Sequence, residues 1–227
     1  MKNLNSSRTV TMRPPLNNQS MGEEIANAIS HGSGALLAIG GAAVLIVMSA
    51  LYGQAIDIVS CAIYSASLIF LYLASTLYHS LTPYKAKRLF QIFDHCAIFI
   101  LILGSYAPIS LSLIGGAAGW VLFGINIFLT AIGVVANCFD VKRFQALSMV
   151  LYLLMGWSVV MAFQALPPLA APAWALMISG GLSYSLGIIF FALKKPRFMH
   201  FIWHLFVLAG SVLHYFFILL FVILTLV

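Results

Sequence analysis

The chain has little charge. Asp, Glu, Lys and Arg together make 7% of its 227 residues, against about 25% in a soluble domain. Acidic residues are the scarcer sign, 5 against 11 Lys and Arg. So few charges cannot clothe a water-soluble globule, which excludes a protein with one large core in water. Cysteine is sparse as well. Cys61, Cys96 and Cys138 are odd in number and show no C-x-x-C spacing, and they read as small packing residues that leave the redox compartment open. No apolar core follows the early Lys2 and Arg8, so the start is not a secretory signal peptide. A Gly-x-Ser-x-Gly hydrolase motif, a convincing internal repeat, a second domain and a long linker are all missing.

What the chain has in abundance is apolar sequence, 63% of its residues. Seven apolar stretches, at about 32–53, 57–80, 93–113, 118–138, 145–165, 172–193 and 200–225, each approach the roughly 20 residues that span a bilayer. The expected fold is all-α, a seven-transmembrane-helix bundle forming a single domain over 23–227. Residues 1–22 are polar and read as a disordered cytoplasmic tail, followed by a short amphipathic surface helix over Glu23–Ser30. Short connections favour antiparallel neighbours, and Gly40-Gly41 and Gly180-Gly181 lie inside spans, where small residues permit close approach.

Charge placement sets the orientation. With seven spans, all 11 basic residues fall in the N-terminal tail or in the loops after spans 2, 4 and 6. Those segments share one side, and the opposite loops carry only Asp57. The positive-inside rule makes the basic side cytoplasmic, with the N-terminus inside and the C-terminus outside. The basic residues are then topology determinants that also meet anionic lipid, and a nucleic-acid partner is excluded.

This topology brings polar residues to one depth. His79 ends span 2, Asp94 and His95 begin span 3, and His200 and His204 begin span 7, all at the cytoplasmic level. Ionisable groups within spans are costly and tend to be functional. His200 and His204 are four apart and share a helix face. With His79 they supply three imidazoles, the number of protein ligands that catalytic zinc commonly takes, with one position left for water. Ser75, four residues before His79, shares its face and can hydrogen-bond such a water, and Asp94 can hold it or accept its proton. His214 lies about 15 Å further along the helix, too far for the same ion, and reads as a hydrogen-bonded interior histidine. His31, at the start of span 1, reads as a cap or a neighbour of the pocket, the structural role being favoured, and His95 as a packing residue. Trp120, Trp174 and Tyr84 read as interfacial anchors.

Ser30-His31-Gly32, Ser75-Thr-Leu-Tyr-His79, Phe93-Asp94-His95-Cys-Ala-Ile, His200-Phe-Ile-Trp-His204 and Gly210-Ser-Val-Leu-His214 together resemble the hemolysin III proteins of bacteria, which belong with the progestin and adipoQ receptors. The resemblance covers about residues 23–220. It implies seven helices with an internal N-terminus in a bacterial plasma membrane. It implies zinc on His79, His200 and His204, with Ser75 and Asp94 beside its water. It also implies kinship with alkaline ceramidases, which hydrolyse lipid amides, and a role in membrane lipid and energy homeostasis.

The leading functional expectation is a zinc-dependent intramembrane hydrolase of a lipid amide or ester, with membrane lipid as partner and substrate. A non-enzymatic sensor with structural zinc, a cytolysin and a transporter are the alternatives. Oligomeric state is open.

Overall fold

The structure, a computed structural model, describes residues 19–193 and 195–226. Seven helices among the described residues are long and apolar enough to cross a membrane, and no strand occurs there. They are α1 (Met21–Tyr52), α2 (Ala55–Ser80), α3 (Tyr84–Ala107), α4 (Gly116–Asp140), α5 (Gln145–Gly156), α6 (Ala171–Ala192) and α7 (Met199–Ile218). Three continue in altered helical form: α3 as a π-helix over Pro108–Ile114, α5 as a 3₁₀-helix over Ser158–Ala165, and α7 as a π-helix over Leu219–Ile223. Most of the expected tail, residues 1–18, lies outside the described residues.

The bundle is inside out relative to a soluble protein. Leu36 and Phe139 are 74% and 80% exposed, whereas Asn27, Ser75, Ser110 and Asn126 are fully buried. That distribution suits hydrocarbon around the bundle, where polar groups must find partners inside.

The main departure from expectation is α1. Glu23–Ser30 is not a separate surface helix but the first turns of one 32-residue helix. Ser20 caps it, and Glu23 returns the bond to Ser20 in a capping box, so two otherwise orphaned N–H groups are satisfied. Helix geometry makes this about 48 Å long, well beyond the roughly 30 Å hydrocarbon thickness. Its polar first turns therefore reach past the level where span 1 was expected to begin.

The irregular segments have local causes. Pro108 has no N–H to give, and the π-helix begins there. Gly115 and Gly116, with φ of 64° and 53°, turn the chain into α4, in a region glycine visits without penalty. Where α5 tightens to 3₁₀, the Tyr106 hydroxyl donates to Gly156 O (2.8 Å) and accepts from Val159 N (2.9 Å). One side chain on α3 thereby satisfies the backbone groups freed at the break. At the start of α7, Phe198 takes the left-handed conformation (φ 66°), and its N–H donates to Glu23 Oε1 at 2.8 Å. Glu23 thus caps α1 and holds the start of α7 against it.

Candidate metal centre

His79 is in the last turn of α2, and His200 and His204 are on successive turns of α7. One ligand atom from each lies within 4.8 Å of the other two. The ring centroids stand 5.2 Å (His79 to His200), 5.1 Å (His79 to His204) and 4.7 Å (His200 to His204) apart. Positions more than 120 residues apart in the chain meet here because both helices begin or end at one face of the bundle.

Two of the rings are oriented from behind by α1. His79 Nδ1 lies 2.7 Å from Glu24 Oε2, and the same carboxylate takes Lys87 Nζ at 2.9 Å through its other oxygen. A carboxylate can only accept, so His79 carries its proton on Nδ1. His204 Nδ1 lies 3.3 Å from Asn27 O and 3.2 Å from Ser30 Oγ. Ser30 gives its own hydroxyl proton to Asn27 O at 2.9 Å. Both oxygens are thus acceptors, and His204 Nδ1 is again the donor. On both rings Nε2 is left with its lone pair, the arrangement in which a histidine binds metal while its other nitrogen is hydrogen-bonded. His79 Nε2 is buried and makes no hydrogen bond. Imidazole donors of this kind suit zinc, copper, iron or nickel better than magnesium or calcium, which prefer oxygen. The residues therefore fit a transition metal.

Asp94, on α3, is buried and lines a small cavity with His200, His204, His95 and His31. Ser75 lies one turn before His79 on α2, fully buried, its hydroxyl without a hydrogen-bond partner. The three expected ligands are thus together, and Asp94 shares a cavity with two of them, His200 and His204, while His79 and Ser75 join through α2 and not through the cavity wall.

His31 is more closely engaged than a cap would be. It is 3% exposed and stacks face to face on His204, with centroids 3.5 Å apart and planes 9° apart. Neither of its ring nitrogens has a hydrogen-bond partner. Glu24 and Asn27 were not anticipated at all. With His31 they fall at i, i+3 and i+7, one face of a helix continuous with span 1. That spacing was the available signal. His214 sits apart, as expected, hydrogen-bonded through Nε2 to Met177 O at 3.1 Å.

Beside the centre runs a larger cavity, with about 660 Å³ of atom-free space partly open to the surroundings. Leu71, Ile98, Trp203 and Val207 line both spaces, so the two adjoin. From there the large one extends past Tyr152, Trp157 and Tyr184 to His214.

The family model described as "Haemolysin-III related" matches residues 19–215. The chain belongs to that family. It is 46% identical over 195 residues to the hemolysin-3 homolog of Bacillus subtilis strain 168, covering 86% of this chain and 92% of that one. To hemolysin-3 of Bacillus cereus it is 42% identical over 201 residues, 88% of this chain and 92% of that one. A human protein, monocyte to macrophage differentiation factor, is 27% identical over 201 residues, 86% of this chain and 82% of the other. The matched region contains α1 with Glu24, Asn27 and His31 as well as the three clustered histidines.

Proposed function

We propose that this haemolysin-III related protein is a zinc-dependent intramembrane hydrolase of a lipid amide or ester, working at the cytoplasmic side of a plasma membrane with its N-terminus inside. The observation that carries the reading is the meeting of three imidazole donors within 4.8 Å beside a mostly apolar cavity.

His79, His200 and His204 would hold the zinc. When bound, zinc supplies a Lewis acid for a carbonyl and acidifies water. The other roles belong to the chain itself. Glu24, Asn27 and Ser30 fix the two imidazole rings through their Nδ1 atoms. Asp94, a buried carboxylate in the wall of the small cavity, accepts a proton from water and returns it to the leaving amine or alkoxide. Ser75 donates its unpartnered hydroxyl to an oxygen of the reacting group. The cavity takes the acyl chain and keeps bulk water from the site.

A sensor or regulator whose metal is structural is the second reading. It is favoured by the way the histidines and their α1 partners knit α1, α2 and α7 together. Turnover of a panel of lipid amides and esters by purified protein, with and without added zinc, decides between the two. Zinc-dependent release of fatty acid supports the hydrolase, and a metal-loaded protein with no turnover across the panel supports the sensor.

A further inference from the structure

Two of the three cysteines meet in space, although nothing in their spacing pairs them. Cys61 is buried near the start of α2, at the end remote from His79. Cys96 on α3 and Cys138 on α4 come together where those two helices pack. Cys96 Sγ lies 3.8 Å from Val134 O. That carbonyl is the one to which the helical pattern directs the N–H of Cys138, one turn further along the same face. Helical side chains lean toward the N-terminus, which carries the Cys138 thiol back over that turn. The two thiols interact directly. The helices are also close at this level, since a Cβ on Gly133 of α4 would overlap the Phe99 ring of α3.

The two sulfurs differ in access. Cys96 is 5% exposed, whereas Cys138 is exposed. Cys138 lies two residues before Asp140, whose carboxylate accepts the N–H groups of Lys142 and Arg143 in the turn that follows α4. That places Cys138 near the polar boundary of the bundle, within reach of a small oxidant in water. An accessible thiol with a second thiol directly behind it is the arrangement of a redox-sensing pair, one attacked first and the other resolving.

We propose that Cys96 and Cys138 form a reversible redox modification site, at which a peroxide converts the two thiols into a disulfide joining α3 to α4. With hydrogen peroxide, Cys138 Sγ attacks one oxygen, the O–O bond breaks, and Cys138 becomes a sulfenic acid as one water leaves. Cys96 Sγ then attacks the sulfenic sulfur, the S–O bond breaks, and a second water leaves. Both thiol protons end in the waters; each sulfur loses one electron and the peroxide takes up two. A thiol reductant reverses the change. The bond pins α3 within one turn of Asp94 and His95, two residues in the wall of the small cavity. The site stands whether or not that cavity is catalytic.

The test uses the purified full-length protein in lipid nanodiscs, first reduced and then treated with hydrogen peroxide. After unfolding, thiol labelling should find one free thiol in place of three. The intact mass should fall by about 2 Da, the two hydrogens lost on disulfide formation, and peptide mapping should join Cys96 to Cys138. Dithiothreitol should restore all three thiols. Cys96→Ser should leave Cys138 as a sulfenic acid that dimedone captures, and Cys138→Ser should keep both remaining thiols reduced. Three free thiols in peroxide-treated wild type would overturn the pair. So would a Cys138–Cys138 bond between two copies, or oxidation of Cys138 beyond sulfenic acid with Cys96 still free.

Discussion

Glu24 and His79 meet at 2.7 Å across 55 positions of sequence, carboxylate to Nδ1. The same carboxylate is bound by Lys87 at 2.9 Å, and Lys87 in turn donates to Tyr78 O at 3.0 Å. The ring that faces the histidine cluster is thus held from outside the cluster, by a helix that contributes none of its three histidines. This predicts that Glu24→Gln lowers zinc affinity by about 10–100-fold, as losses of such orienting carboxylates do elsewhere. Chelator competition against wild type measures it. Unchanged affinity would make the Glu24–His79 contact a helix-packing feature only.

The three histidines should together hold one zinc per chain. His204→Ala and His79→Ala should each lose it on purification, because two imidazoles hold zinc much less firmly than three. Metal analysis of the purified variants checks this, and equal metal in wild type and His204→Ala would remove His204 from the centre.

Asp94 and Ser75 are proposed to act without binding metal. Asp94→Asn should retain zinc and slow turnover by about 10²–10⁴-fold. Loss of zinc in Asp94→Asn would turn Asp94 into a ligand, close the open position and favour the structural-metal reading.

The orientation has its own test. Reporter fusions should place the N-terminus inside and the C-terminus outside. The described basic residues Lys85, Lys87, Arg88, Lys142, Arg143, Lys195 and Arg197 all lie at the ends of helices that share the side of the histidine cluster. An external N-terminus would put the metal centre at the other leaflet.

Packing between α3 and α4 gives a stability prediction. Gly133 lies against the Phe99 ring so closely that any Cβ would overlap it, whereas Gly124 on the same helix has nothing within 4 Å. Gly133→Ala should cost about 1–3 kcal/mol through overpacking. Gly124→Ala should instead stabilise, by about 0.5–1 kcal/mol, because Ala fits the open space and Gly weakens a helix interior. Thermal unfolding in detergent compares the two.

Much of this site was legible in the sequence because membrane topology is a strong constraint. Once seven spans are counted, the end of the second and the starts of the third and seventh must share a level, and His79, Asp94, His200 and His204 fall there. What topology cannot show is contact across helices. Glu24, Asn27 and His31 were obscured by breaking the first helix near residue 31, which separated a polar stripe from the span it belongs to. Reading 24, 27 and 31 as one helical face would have aimed them at the bundle. The stack of His31 on His204 and the buried, unpartnered Nδ1 of His214 arise from packing among α1, α6 and α7, and no spacing rule encodes them.

The bond from Asn27 to His204 spans 177 positions. Synthesis proceeds from the N-terminus, at about 5–20 residues per second. Glu24, Asn27 and His79 are therefore in place while two of the ligands have yet to be made. A chain cut short before α7 holds one imidazole of the three, and the cluster assembles only once the start of α7 has been made. If the cluster binds a metal, capture must therefore wait until α7 has joined α1 and α2, which couples the site to helix assembly.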